Sequence, residues 1–215
     1  MYNGKKVLVF TATYNEINNI SKLISKIREQ NLEIDILIID DNSPDGTGNK
    51  ILSLQKSDEK IFFISRKEKA GLDTAHKAAY DFAIKKKYDY LITMDADLSH
   101  DPIEIKNFIQ NLNNYPFVIG SRYTKGGKCL MKKKRFLLSK YGNLLMRIFL
   151  RINLYEFTTS YRGFNINKLN NFNLNLVKTK GYSFFMGTVF EIYRRKFQIK
   201  EIPIIFSDRL EGYSK

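Results

Sequence analysis

Residues 88–100, YDYLITMDADLSH, are a short apolar run that ends in two aspartates, Asp95 and Asp97. The apolar part, at 88–94, predicts a buried β-strand. In extended chain the two aspartates share one side, and paired carboxylate oxygens suit Mg²⁺ or Mn²⁺. A turn followed by a helix cap is the alternative interpretation. Because Asp101 and Pro102 can themselves begin the next helix, the metal interpretation is favoured.

The flanking sequence repeats this unit of strand and helix from residue 6 to residue 121. Further apolar runs predict strands at 6–11, 34–39, 61–64 and 117–120. Apolar residues at helical spacing predict helices at 17–27, 75–83 and 103–112. Strands that alternate with helices form a mostly parallel sheet with helices on both faces. We therefore expect an α/β fold, and the 215 residues fit a single domain.

Polar side chains follow three of the predicted strands at their carboxyl ends, where parallel α/β sheets bind ligands. Tyr14 and Glu16 follow the first strand, and Asp41 follows the second. Carboxylates accept hydrogen bonds from a base or ribose, and Tyr14 can pack on either group. The sequence contains neither Gly-x-Gly-x-x-Gly nor a Walker-type loop. These features favour a nucleotide diphosphate, held by acidic side chains and a metal, over a dinucleotide cofactor.

The positive charge of the chain is concentrated in one segment. The formal net charge is +14, and residues 105–155 contain eleven lysines and arginines but no acidic residue. Such a field attracts nucleic acid, anionic lipid or phosphorylated substrates. Aliphatic residues interleaved with cations at 132–152 predict one amphipathic interface helix, or a pair of them, on a membrane surface. The alternative is an ordinary helix whose apolar side belongs to the core. Nucleic-acid binding is disfavoured, because the segment lacks base-stacking aromatics on a sheet and acidic clusters flank it.

Composition also limits the cellular setting. The single cysteine, Cys129, rules out an intramolecular disulfide framework. The chain has no apolar run of 18 residues and no secretory leader at its start, so we expect a cytoplasmic protein without a membrane span. Membrane attachment would then depend on the basic segment or on a separate anchoring subunit.

The chain resembles the family-2 glycosyltransferases, and within them the dolichol- and polyprenol-phosphate mannosyltransferases. The segments that carry the resemblance are ATYNE at 12–16, IDDNSPDGT at 39–47, GL at 71–72, MDADLSH at 94–100, GSRY at 120–123, GYSF at 181–184, EIPI at 201–204, DR at 208–209 and GYSK at 212–215. Their order and spacing cover nearly the whole chain. The resemblance implies a GT-A fold, a nucleotide-sugar donor and a divalent metal, Mg²⁺ or Mn²⁺.

The resemblance also implies roles for individual residues. Those expected to bind the nucleotide sugar are Ala12, Tyr14, Glu16, Ile39, Asp41, Asp95, Ala96, Asp97, Arg122, Arg209 and Lys215. Asp95 and Asp97 would hold the metal, and Asp97, Arg122 and Arg209 would be catalytic. Five positions depart from the family pattern, with Ala12 in place of Pro, Asp73 in place of Gly, Glu156 in place of Asp, and Phe185 and Gly187 in place of Gln and Glu.

The implied reaction is the inverting transfer of a hexose to dolichyl or polyprenyl monophosphate. Mannose from GDP-mannose is the favoured donor group, and a UDP-sugar in polyprenyl-phosphate glucose or surface-polysaccharide synthesis is the alternative. Within one domain, 1–121 would bind the donor, 122–158 would lie at the membrane, and 159–215 would complete the acceptor side. The protein would be peripheral on the cytoplasmic face of a membrane and would not bind nucleic acid.

Overall fold

A seven-stranded sheet forms the centre of the protein, whose structure, a computed structural model, describes residues 4–207. The strands of this sheet are β1 Val7–Thr13, β2 Asp35–Asp40, β3 Ile61–Ser65, β4 Tyr90–Thr93, β5 Phe117–Ser121, β7 Arg162–Asn165 and β8 Ile199–Pro203. Their order is β3-β2-β1-β4-β7-β5-β8. Only β7 runs antiparallel to its neighbours, so the expectation of a mostly parallel sheet is confirmed. Two short strands, β6 Lys128–Cys129 and β9 Ile205–Phe206, pair separately.

Helices cover both faces of the sheet, as predicted. They are α1 Ile17–Arg28, α2 Thr47–Ser57, α3 Leu72–Lys85, α4 Ile105–Leu112, α5 Lys133–Leu150 and α6 Ser183–Arg194. Short 3₁₀ turns lie at Pro102–Glu104 and Leu174–Leu176. Asp101 caps the first of these turns, because its side chain accepts a hydrogen bond from the Ile103 amide.

Alternation along the strands divides the core into two layers. Val7 and Val9 pack with α1, α2 and α4, whereas Leu8 and Phe10 pack with α3 and α6. All four side chains are fully buried or nearly so. Burying an aliphatic or phenyl side chain stabilises the fold by about 1.5–3 kcal/mol, so this double layer fixes the register of the central strands.

The loops at the carboxyl edge of the sheet are joined to one another. Asp45 Oδ2 accepts a hydrogen bond from the Ile17 amide, and Thr47 Oγ1 accepts one from the Glu16 amide. The loop after β2 therefore caps the start of α1, as well as the start of its own helix through the Asp45–Thr47 bond. These bonds hold the loops after β1 and β2 side by side.

Residues 132–152, for which one interface helix or a pair was predicted, contain a single long helix, α5. Within α5 only Asn143 is buried, and its Oδ1 accepts a hydrogen bond from the Phe157 amide. Leu138, Ile148 and Phe149 are exposed over 77%, 61% and 79% of their surfaces. The alternative in which the apolar side of this helix belongs to the core is therefore wrong for these residues. No helix among residues 4–207 is long and apolar enough to cross a membrane.

Candidate active site

A cavity of about 450 Å³ opens at the carboxyl edge of the sheet. The predicted site residues that line it are Ala12, Tyr14, Glu16, Asp41, Asp95, Ala96, Asp97 and Arg122. Ile39 does not line it, because its side chain is fully buried in the core layer beneath α3. A side-chain contact between Ile39 and a nucleoside is therefore not expected. Arg209 and Lys215 lie outside the described residues.

The two aspartates lie in a tight turn after β4. Asp97 is buried, and its Oδ1 accepts hydrogen bonds from the amide and the hydroxyl of Ser99 at 3.0 and 2.6 Å. Asp95 is more accessible, with 35% of its side chain exposed, and its Oδ1 accepts a hydrogen bond from the Ser160 hydroxyl at 2.6 Å. Since Ser160 comes just before β7, the antiparallel strand helps to orient a carboxylate that follows β4.

The buried side chain of His100 stabilises the turn that contains Asp95 and Asp97. Its Nδ1 accepts a hydrogen bond from the Asp95 amide at 3.1 Å, so the imidazole is unprotonated at that nitrogen. Burial lowers the pKa of His100, although the nearby Asp95 and Asp97 act in the opposite direction. A neutral, buried imidazole between Tyr161 and Phe206 holds the backbone of the turn, which is a structural role.

The donor atoms in this turn fit a hard divalent cation only with help from a ligand. Asp95 and Asp97 offer carboxylate oxygens at the cavity wall, which is the donor type that Mg²⁺ and Mn²⁺ prefer. Within residues 4–207 no group of three or more His, Cys, Asp or Glu side chains could hold a metal. A diphosphate would supply the oxygens that complete the coordination.

Two basic residues that the sequence did not single out complete the opposite end of the cavity. Arg66, just after β3, forms an ion pair with Asp41 and donates to the Gly71 carbonyl. Lys69 places its ammonium group 4.5 Å from the ring centroid of Tyr14. Arg66 therefore orients the carboxylate expected to bind a nucleoside, and Lys69 adds a cation beside the predicted base-packing ring.

Arg122 is held by a buried ion pair with Glu156. Its Nε and Nη2 donate to the two carboxylate oxygens at 2.7 and 2.8 Å, and Nη2 also donates to Thr158 Oγ1. Burial alone would raise the pKa of Glu156, but the charge and hydrogen bonds of Arg122 lower it overall. Arg122 can therefore offer a phosphate only part of its guanidinium, because Nε and Nη2 already donate to Glu156. Of its nitrogens, only Nη1 has no hydrogen-bond partner among the described residues.

The first turns of α5 reach the cavity. Arg135 and Ser139 line it beside Thr158 and Thr159, and Met131 and Phe206 add apolar surface. The basic segment is therefore continuous with the site that contains the aspartates. Its charge pattern indicated a surface, but gave no reason to select Arg135 or Ser139 individually.

A mostly parallel α/β sheet with a carboxylate pair at its carboxyl edge agrees with the GT-A fold of nucleotide-sugar transferases that the sequence resemblance implies. The chain matches the model of the family described as "Glycosyl transferase family 2" over residues 8–173, and it belongs to that family.

Two curated relatives match almost the entire chain. An undecaprenyl-phosphate mannosyltransferase of Micrococcus luteus is 35% identical over 211 residues, which are 98% of this chain and 87% of the relative. A polyprenol monophosphomannose synthase of Mycolicibacterium smegmatis is 33% identical over 214 residues, which are 98% of this chain and 81% of the relative.

Solved structures share the fold at low sequence identity. Glucosyl-3-phosphoglycerate synthase of Mycobacterium tuberculosis, in complex with Mn²⁺, UDP-glucose and phosphoglyceric acid, superposes with a TM-score of 0.71 at 13% identity, covering 98% of this chain and 74% of that one. A mannosyltransferase of Pyrobaculum calidifontis, in complex with GDP-mannose and Mn²⁺, gives a TM-score of 0.61 at 15% identity, covering 97% and 59%. At these identities the likeness establishes the fold alone.

Proposed function

We propose that the protein transfers a hexose, with mannose from GDP-mannose favoured, to a dolichyl or polyprenyl monophosphate. The observation that carries the proposal is the continuity of one cavity. It extends from Tyr14 and Asp41, through the Asp95–Asp97 turn, to Arg135 on a helix with an exposed apolar face. A nucleoside, a diphosphate and a lipid phosphate each find matching chemistry along that path. The names of the two curated relatives support mannose as the sugar and a polyprenyl phosphate as the acceptor.

The chemistry requires little acid–base assistance. A lipid monophosphate is ionised at neutral pH, so its oxygen is already a nucleophile. That oxygen forms a bond to the anomeric carbon while the bond from this carbon to the diphosphate oxygen breaks. The nucleoside diphosphate leaves with the bonding electron pair, and in-line attack inverts the configuration. The protein must mainly hold two anions together and stabilise the charge of the leaving group.

In this proposal Asp95 and Asp97 hold the divalent cation, which would neutralise charge on the leaving diphosphate. Tyr14, Glu16 and Asp41 bind the nucleoside. Arg135 and the accessible edge of Arg122 attract the acceptor phosphate. Ser139 offers that phosphate a hydroxyl donor, and Arg209 and Lys215 are proposed to assist at phosphates as well.

The acceptor is membrane-borne, so we propose that α5 rests on an anionic membrane surface. Its exposed Leu138, Ile148 and Phe149 would enter the interface, while the lysines at 132–134 would contact lipid headgroups. The catalytic edge would then face the lipid phosphate. The protein would act as a peripheral enzyme on the cytoplasmic face, alone or with an anchoring subunit.

A UDP-sugar donor is the second candidate, because solved structures of this fold contain UDP-glucose as well as GDP-mannose. A donor screen separates the two. GDP-mannose, UDP-glucose and UDP-N-acetylglucosamine are each incubated with a short polyprenyl phosphate, with Mn²⁺, with Mg²⁺ or with a chelator. We expect lipid-linked sugar from GDP-mannose only, and its loss on chelation. Preferential use of a UDP-sugar would replace the favoured donor, and absence of product from all three donors would refute the proposal.

A further inference from the structure

The segment 178–182 forms part of the cavity wall without belonging to a helix or strand. Gly181 and Tyr182 line the cavity, and Gly181 has a positive φ of 56°. Lys178, Lys180 and Tyr182 are exposed. A wall of irregular, exposed chain needs specific bonds to keep its shape, because ordering its backbone is entropically costly.

One such bond comes from Asp73, in the first turn of α3. Its side chain is buried, and Oδ1 accepts a hydrogen bond from the Gly181 amide at 3.1 Å, across 108 positions of sequence. The same residue follows Gly71 and Leu72, which line the cavity themselves. Asp73 therefore joins two parts of the wall that are remote in sequence. It is also a position where the resemblance to the family led us to expect glycine, which has no side chain to make this bond.

The other side of the segment is packed against α6 at Gly187. A Cβ atom there would collide with Oγ1 of Thr179 and lie 3.0 Å from Cγ1 of Val177. Thr179 Oγ1 also donates to the Ser183 carbonyl at 3.1 Å. The resemblance led us to expect a glutamate at this position, and its side chain would not fit. The segment is thus held by close packing at residues 177–179 and by Asp73 at residue 181.

We propose that Asp73 is a positioning residue, which holds the Gly181–Tyr182 wall in the shape that receives the donor. Although 159–215 was expected on the acceptor side, this part of it lies beside the donor end of the cavity, because Arg66 bonds both Gly71 and the nucleoside-end residue Asp41. This inference rests on the proposed function for the identity of the ligand. The hydrogen bond between Asp73 and Gly181 is independent of that function. Without the bond, only a fraction of the molecules has the wall in the shape that binds the donor. The apparent affinity for the donor is then the intrinsic affinity multiplied by that fraction. The donor KM should rise while kcat at saturating donor changes little.

The test uses three substitutions. Asp73→Ala removes the acceptor, Asp73→Asn keeps an acceptor oxygen at the same place, and Asp81→Ala is the matched control. Asp81 is also on α3, but it is exposed and bonds Asn173 and Asn175 instead. We expect Asp73→Ala to raise the donor KM about fivefold to tenfold, as the net contribution of one ordinary hydrogen bond implies. Asp73→Asn should restore most of the affinity, and Asp81→Ala should resemble the wild type.

Limited trypsin digestion without substrate gives an independent measurement of the wall. Cleavage after Lys178 and Lys180 should be faster in Asp73→Ala than in wild type, Asp73→Asn or Asp81→Ala. Equal KM and cleavage rates for Asp73→Ala and Asp81→Ala would overturn the inference. So would an Asn variant as impaired as the Ala variant, since the charge itself would then be required. If the wild type transfers no sugar, the proposed function fails, while the digestion still tests the bond.

Discussion

Asp97 combines burial with a position on the cavity wall, and both properties follow from its turn. The Ser99 amide and hydroxyl hold one carboxylate oxygen, so the orientation of the group is fixed before any ligand arrives. A preoriented carboxylate costs little reorganisation when charge develops on a diphosphate. This is why its replacement should affect chemistry more than folding.

We predict that Asp97→Ala abolishes transfer and that Asp97→Asn lowers kcat at least a hundredfold. Asn keeps an oxygen for Ser99 but loses the charge that a metal requires. Asp101→Asn is the matched control, because Asp101 caps the next 3₁₀ turn and is absent from the cavity wall. Circular dichroism should show folded protein in every case. Near-normal transfer by Asp97→Ala would remove the aspartate pair from the mechanism.

Glu156 differs from the surface carboxylates, because it is fully buried against Arg122. Glu156→Gln leaves the arginine charge buried without its counter-charge, so we predict a loss of about 3–5 kcal/mol in the free energy of unfolding. Glu191→Gln removes the charge from half-buried pairs with Arg194 and Arg195, whose guanidinium groups remain accessible to water, so it should cost about 1 kcal/mol or less. Urea unfolding at neutral pH measures both, and similar costs would contradict the structural role of the pair.

The lowered pKa of Glu156 also sets a pH dependence. Its ion pair stabilises the protein above the ordinary carboxyl pKa of 4.5, and that stability is lost as the pH falls through the lower, folded-state pKa. Between pH 7 and pH 3, wild type should therefore lose more stability than Glu156→Gln. Parallel pH profiles for the two proteins would be evidence against a charged pair.

Among the individual site residues, those predictable from the sequence followed strands directly. Tyr14, Asp41 and Asp95 were selected because each lies within three residues of the end of a predicted strand, and the structure places all three at the cavity. Arg66, Lys69 and Arg135 were not, since nothing in the sequence distinguishes them among its 36 lysines and arginines. Only the packed structure brings them to the cavity. The side chain of Ile39 does not reach the cavity, because a residue near the end of a buried strand can direct its side chain into the core.

At the scale of the element, α5 is the feature whose exposed surface most needs an explanation. A soluble helix normally buries its apolar stripe, yet α5 buries only Asn143. Exposed apolar patches of this kind mark membrane or protein interaction sites. The neighbouring cations and the cavity at the helix start favour a membrane.

We predict that the triple variant Leu138→Gln/Ile148→Gln/Phe149→Gln binds anionic vesicles at least about tenfold more weakly than wild type, because interfacial affinity scales with buried apolar area. Leu52→Gln on α2 is the control, since Leu52 is an exposed leucine on another helix. Vesicle flotation at high salt measures the apolar contribution to binding, and flotation at low salt adds the electrostatic contribution of the lysines and arginines. Unchanged binding by the triple variant, or no wild-type binding at low salt, would exclude α5 as the membrane surface.

Elements differed in how well the sequence predicted them. The strands β1 to β5 were predicted because each is a continuous apolar run, as buried parallel strands require. The strand β7, with the sequence RGFN, is fully buried but contains one large apolar residue. Arg162 occupies it by donating to three backbone carbonyls, those of Phe157, Thr159 and Phe185. The sequence RGFN has no hydrophobic periodicity from which a strand could be predicted.

At the scale of the whole molecule, the charge and the fold converge on one surface. The carboxyl edge of the sheet carries the aspartates, and the basic helix α5 begins beside it. We propose that the net charge of +14, which by itself is also compatible with nucleic acid, serves to attract phosphate and anionic lipid. The alternation of strands and helices was enough to predict this edge, whereas the joining of α5 to the cavity depended on tertiary packing.

The most direct measurement is product analysis with wild-type protein, GDP-mannose, a short polyprenyl phosphate and Mn²⁺. We predict a lipid-soluble mannosyl phosphate with inverted, β configuration by NMR, formed by wild type and absent with Asp97→Ala. A product with retained configuration would contradict the in-line mechanism. Absence of any lipid-linked sugar, with this donor or a UDP-sugar, would contradict the proposal that the protein transfers a hexose to a polyprenyl phosphate.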